Sequence, residues 1–71
     1  MIIELDLNSY YRVTHRTWDN KRIVTAKRKY FGTERRFGSI LCYIFSSRVT
    51  KKGYSSELSI PHYDLKEARE V

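Results

Sequence analysis

Ser39 to Val49 reads S-I-L-C-Y-I-F-S-S-R-V, and its centre, Ile40-Leu41-Cys42-Tyr43-Ile44-Phe45, is the one unbroken apolar run in the chain. A run this short cannot span a bilayer, which takes about 20 residues in a helix, and it suits a strand. Its β-branched and aromatic side chains fit a pleated surface, and Gly38 and Gly53 stand on either side of the segment. A strand apolar on both faces must be covered on both faces. The run therefore predicts the central strand, over 39–49, of a small antiparallel sheet.

The flanking segments supply the rest of that sheet. Ile2 to Leu7 alternates, with Ile3, Leu5 and Leu7 on one side and Glu4 and Asp6 on the other, the mark of a half-buried strand. Asn8-Ser9 reads as a turn. Tyr10 to Trp18 follows as a strand with Tyr11 and Val13 inward and Arg12, Thr14 and Arg16 outward; Trp18 breaks this parity and either closes the core or stands exposed. Asp19-Asn20 suits the next turn. Arg22 to Phe31 fits both periods, but Val24, Ala26 and Tyr30 share a strand face, its uncharged positions are β-formers, and no capping box introduces it, so a strand is expected. Gly32 to Gly38 reads as a loop bounded by glycines, free to move until it meets a partner.

Beyond the apolar run, Thr50-Lys51-Lys52-Gly53 has the composition of a hairpin turn. Tyr54 to Ile60 alternates and is closed by Pro61. Asp64-Leu65-Lys66-Glu67 has the pattern of a helix start, with Asp64 as cap, Glu67 reaching back and Tyr63 stapled on Ala68. A helix of at most two turns would have to pack on the sheet to persist. The fold class expected is α+β, mostly β: an antiparallel sheet of four to five strands with a short C-terminal helix, in one domain over residues 1–71.

At 71 residues the chain buries only roughly 60% of its unfolded surface, so its core is small. With 41% hydrophobic residues it is too apolar for a disordered chain. Of 14 Lys and Arg, 12 fall between Arg12 and Lys52 against two acids, Asp19 and Glu34, which gives that stretch +10. The two ends carry six acids against Lys66 and Arg69, or −4, and the whole chain carries +6. Positive charge segregated in this way attracts polyanions. A single cysteine, Cys42 inside the apolar run, excludes an internal disulfide and reads as a buried thiol in a reducing compartment. With no charged start leading into a long apolar stretch, no signal peptide or membrane anchor is expected, and a cytoplasmic location follows.

The strongest functional stretch is Lys27-Arg28-Lys29 with Tyr30, followed by Arg35-Arg36. Lys and Arg displace counterions from phosphates, Arg forks bind phosphate oxygens in pairs, and aromatic faces stack on unpaired bases. Arg12, Arg16, Lys21, Arg22, Arg48, Lys51 and Lys52 widen the patch if their strands are neighbours, with Lys51-Lys52 and Arg35-Arg36 at opposite ends of one strand pair. Tyr30 and Phe37 have a competing use as core aromatics. A sheet followed by a helix would also permit duplex recognition, with the sheet laid in a major groove.

No metal site is expected, because His15 and His62 have one cysteine and no paired acids at ligand spacing, and no cofactor motif occurs. The expectation is a non-catalytic nucleic-acid-binding protein, RNA or DNA, of the kind that serves as a regulatory or accessory factor of a virus or mobile element. The alternative is a small interaction protein that binds and modulates an acidic protein partner. A metal-independent ribonuclease built from His15, Arg16, Tyr30, Arg48 and His62 is the remaining reading. A homodimer through a sheet edge or face is compatible with each.

Overall fold

The computed structural model describes residues 4–19 and 21–71. They form five strands: β1 Tyr10–Arg16, β2 Ile23–Arg36, β3 Ile40–Ser46, β4 Glu57–Pro61 and β5 Leu65–Glu70. All pairings are antiparallel, and the order is β4-β3-β2-β1-β5. The described residues contain no helix and form an all-β architecture, not the α+β class expected.

The long strand β2 is the organiser. Its first half pairs with β1, from Arg16 opposite Ile23 to Tyr10 opposite Lys29, and its second half pairs with β3, from Tyr30 opposite Phe45 to Arg36 opposite Ile40. Between the halves the register slips by one residue and Phe31 is the extra one. An extra residue on one strand bends it and increases local twist. The sheet therefore curls, and Tyr11 and Val13 of β1 and Leu65 of β5 share one core with Tyr43 and Phe45 of β3 and Ile60 of β4. Tyr30 lies at the hinge, edge-on to Tyr11 at 6.4 Å and tilted on Phe45 at 5.3 Å between ring centroids.

Gly32, next to the extra residue, has φ +116°, and a Cβ there would come within 3.3 Å of Leu7 Cδ2. Glycine thus serves a bend inside β2, and the loop expected over 32–38 is instead strand as far as Arg36, with a tight turn over 37–39. In that turn Phe37 holds φ +55° with 62% of its surface exposed. A left-handed backbone costs a side-chain-bearing residue roughly 1–2 kcal/mol and Phe37 recovers little by burial. Phe37→Gly is expected to raise stability by roughly 1 kcal/mol, read as a higher urea midpoint with an unchanged slope.

The apolar run is covered on both faces, as its sequence requires, but not by a central position. Tyr43 and Phe45 point into the core, whereas Cys42 and Ile44, also buried, point the other way. Arg36 reaches across that outer side to Ser59 Oγ and Glu57 on β4 while paired with Glu34 at 2.7 Å, bridging over β3. The central strand expected over 39–49 is thus β3, over 40–46 and next to the edge; the centre of the sheet is β2. Burial pushes the Cys42 thiol up, away from thiolate character.

The C-terminal helix is not formed. Leu65–Glu70 pairs with β1, from His15 opposite Leu65 to Tyr11 opposite Glu70, with Lys66 as an extra residue. Six residues gain little as an isolated helix, whereas the free edge of β1 offers them a full set of backbone partners. Asp64 does not cap: its C=O accepts the Arg16 N–H at 2.9 Å and its N–H donates to Pro61 C=O at 2.8 Å. Tyr63 is exposed rather than stapled.

Residues 4–7 are not a strand, although Leu5 packs on the core and Asp6 N–H donates to Tyr11 Oη at 2.8 Å. Ile2 and Ile3, and Asn20 of the expected turn, lie outside the described residues. The strand expected from Tyr54 begins only at Glu57, and the turn at Thr50–Gly53 forms as read, closed by reciprocal 2.9 Å backbone hydrogen bonds.

Candidate nucleic-acid interface

Alternation along β1 and β2 sends one set of side chains to the outer face of the curled sheet. On β1 these are Tyr10, Arg12, Thr14 and Arg16, and on β2 Thr25, Lys27 and Lys29. The register sets Lys29 opposite Tyr10 and Lys27 opposite Arg12, and Arg12 in turn opposite Arg69 of β5. Two ammonium groups share the Tyr10 ring, Lys27 Nζ at 5.3 Å and Lys29 Nζ at 5.8 Å from its centroid, and Lys29 Nζ is also 5.9 Å from the Tyr54 ring. Such contacts contribute about 0.5–1 kcal/mol each at exposed sites and orient the charge.

The segment after β3 extends this surface. Ser46 Oγ accepts the Lys29 N–H and Lys27 C=O accepts the Val49 N–H, both at 2.9 Å, which lays residues 46–49 along β2. Arg48, Lys52 and Tyr54 then line one shallow hollow, with Lys51 exposed at the turn. Tyr54 rests on Phe31, with centroids 5.7 Å apart. The ion pairs among the described residues join Arg36 to Glu34 and Glu57, and Arg69 to Glu67. Arg12, Lys27, Lys29, Arg48 and Lys52 have none. Unneutralised cations beside two half-exposed tyrosines are the prerequisites for phosphate contact and base stacking.

The remaining predicted residues separate into two sets. Arg16, Lys21 and Arg22 stand exposed about the β1–β2 turn, where Thr17 N–H donates to Arg22 C=O at 2.6 Å. Arg35 and Arg36 stand at the β2–β3 turn, at the opposite end of β3 from Lys51-Lys52; Arg35 donates to Ser39 C=O at 2.9 Å and Arg36 is held by carboxylates. Tyr30 and Arg28 are withdrawn inside. Tyr30 is 5% exposed and burial pushes its phenol up, so it stacks on core rings and not on a base. Its position also removes it from the ribonuclease set. Arg28 shares the inward parity of Val24, Ala26 and Tyr30 and donates from Nη1 to Ser46 C=O at 3.1 Å. Phe37, a candidate core aromatic by sequence, is exposed at the far turn. Tyr10 and Tyr54 were not singled out by the sequence; sharing the outward parity of Arg12 was the available signal for Tyr10.

His15 is 4% exposed and faces the core side, and burial, with Arg28 nearby, lowers its pKa despite the Arg16 carbonyl and Asp64. The unfolded chain keeps the ordinary value near ~6.5. As pH falls through ~6.5 the unfolded state takes a proton that the folded state refuses, so stability is complete above that pH and declines below it, by at most about 1.4 kcal/mol per unit. Urea midpoints measured from pH 7.5 to 5 should fall, and His15→Gln should flatten that dependence.

His62 is exposed, with Nδ1 3.2 Å from Leu41 C=O. Among the described residues no three His, Cys, Asp or Glu side chains gather as a metal site, and no helix is long and apolar enough to cross a membrane. No protein-family model, no curated protein and no solved structure matches the chain.

Proposed function

We propose that the protein binds nucleic acid without catalysis, through the outer face of β1 and β2 and the segment after β3. The observation that carries this reading is the cluster of Arg12, Lys27 and Lys29, none of them in an ion pair among the described residues, with both lysines seated about Tyr10 and Lys29 also near Tyr54. Charge supplies affinity for any phosphate backbone, and exposed phenol faces favour strands whose bases are unpaired. With no helix among the described residues to support a sheet against a major groove, a single-stranded or looped substrate is the better fit.

Fluorescence anisotropy with a labelled single-stranded RNA, the same sequence as DNA, and a duplex tests this at several salt concentrations. Five phosphate contacts, from Arg12, Lys27, Lys29, Arg48 and Lys52, give a slope of log K against log salt of about −3.5 for single strands. A flat salt response, or no retention of any of the three at low salt, would overturn the reading and favour an acidic protein partner.

A further inference from the structure

At the β1–β2 end of the curled sheet a cavity of about 320 Å³ opens between β1, β2 and β4. That is the lower end of the range for small-molecule sites, about 300–1,000 Å³. Val24, Leu58, Ile60 and Pro61 make it largely apolar, and two polar side chains more than nine-tenths buried, His15 and Arg28, complete the lining. Each retains one nitrogen without a hydrogen-bond partner, His15 Nε2 and Arg28 Nε; both atoms are closed off from solvent, so a ligand in the cavity reaches them only as the two side chains turn toward it.

The chemistry of those two atoms is complementary. His15 Nδ1 lies 3.1 Å from the Arg16 carbonyl, a contact that requires the proton on Nδ1, so the neutral ring presents Nε2 as an acceptor. Arg28 Nε–H is a donor and nothing else. A buried donor and a buried acceptor left unmade are costly, and a ligand that satisfies both recovers that cost. The charged groups lining the same cavity balance, Arg16 and Arg28 against Asp19 and Asp64, which disfavours a bare anion. What fits is a neutral, flat, largely apolar group with a donor and an acceptor on one edge. Trp18, 74% exposed, lines the cavity as well, beside a turn that carries Arg16, Lys21 and Arg22.

We propose that this cavity receives one unpaired nucleobase, stacked against Trp18, with Arg28 Nε–H donating to its polar edge and His15 Nε2 accepting from it. Arg16, Lys21 and Arg22 then hold the phosphates that flank the extruded nucleotide. Nucleobases meet the requirement because their Watson–Crick edges pair donors with acceptors, and reading an extruded base by stacking plus edge hydrogen bonds is an established physical solution. This inference rests on the nucleic-acid reading of the outer face and adds to it a reason for preferring unpaired strands.

Trp18 is the single tryptophan, so its fluorescence reports on the site directly. The full chain is titrated with a short single-stranded RNA, with the matching fully paired duplex and with inorganic polyphosphate as a charge-only probe. The single strand should quench Trp18 and bind more tightly than the duplex at equal salt, whereas polyphosphate should bind without quenching. Val24→Phe, which fills the cavity from its wall, and Arg28→Met, which removes the donor, should abolish the quench and lower single-strand affinity about tenfold while sparing polyphosphate. Trp18→Ala, too exposed to affect folding, should lower labelled single-strand affinity on the order of tenfold or more. Thermal midpoints of the two buried variants guard against misfolding, and Trp18→Ala decides the matter if either unfolds. Equal affinity for single strand and duplex, unchanged in Trp18→Ala, overturns the base pocket and leaves the outer face standing. Failure to bind any of the three probes overturns both.

Discussion

Lys27→Glu combined with Lys29→Glu should lower affinity for a single-stranded polynucleotide by at least about 60-fold at 50 mM salt. The figure follows from counterion release: each single-strand contact carries a slope of roughly 0.7, worth about 0.9 decades between 50 mM and 1 M, and two contacts are lost. Reversal of sign adds repulsion to that loss. The salt slope should shrink by about 1.4 in parallel, which a merely structural defect would not produce. The cost to folding should stay at or below about 1.5–3 kcal/mol, because neither lysine has a carboxylate partner and what disappears is three exposed cation–π contacts.

Arg35→Glu is the matching control. Its side chain stands at the β2–β3 turn, away from the Tyr10 cluster, and its bond to Ser39 C=O is local. Less than a threefold change is expected. If Arg35→Glu weakened binding as much as the lysine pair, the interface would be the whole basic surface and not one face.

Much of the β architecture is legible as period-two alternation. Tyr11 and Val13 on β1, and Val24, Ala26 and Tyr30 on β2, point inward as their spacing requires. Three local signals mislead because tertiary pairing outweighs them. Asp64-Leu65-Lys66-Glu67 has the composition of a helix start, but β1 has an open edge and the segment completes it. Gly32 reads as a strand stop, yet its φ of +116° serves a bend inside β2. A run apolar on both faces reads as the central strand, and nothing local announces that Arg36 will lie over the outer side of β3.

The site divides in the same way. Lys27-Arg28-Lys29 looks like one charge run, but its middle member has the parity of Tyr30, and that parity was available in the sequence. The meeting of Lys29 with Tyr54, or of His15 with Arg28 and Leu58 around one cavity, joins segments far apart in the chain and depends on the curl.

That curl rests on few side chains, and Phe45 is the most exacting test of it. The ring is fully buried, 5.3 Å from Tyr30 at the hinge of β2 and paired across β4 with Leu58, so it joins the two halves of the sheet. Phe45→Ala removes the ring and leaves a void among groups that cannot all close in, a change that costs about 3–5 kcal/mol. A domain of this length has a total stability of roughly 3.5–10 kcal/mol, so the loss is between a third and all of it. At about 4–8 °C per kcal/mol the thermal midpoint should fall by more than about 12 °C, or the variant should be unfolded at room temperature. Trp18→Ala, equally drastic in size but on an exposed side chain, should leave the midpoint within a few degrees. If Phe45→Ala lowered the midpoint by no more than Trp18→Ala does, the two halves of the sheet would not share a core. The cavity walled by β1, β2 and β4 would then lose its far side, and with it the pairing of His15 and Arg28 against Ile60.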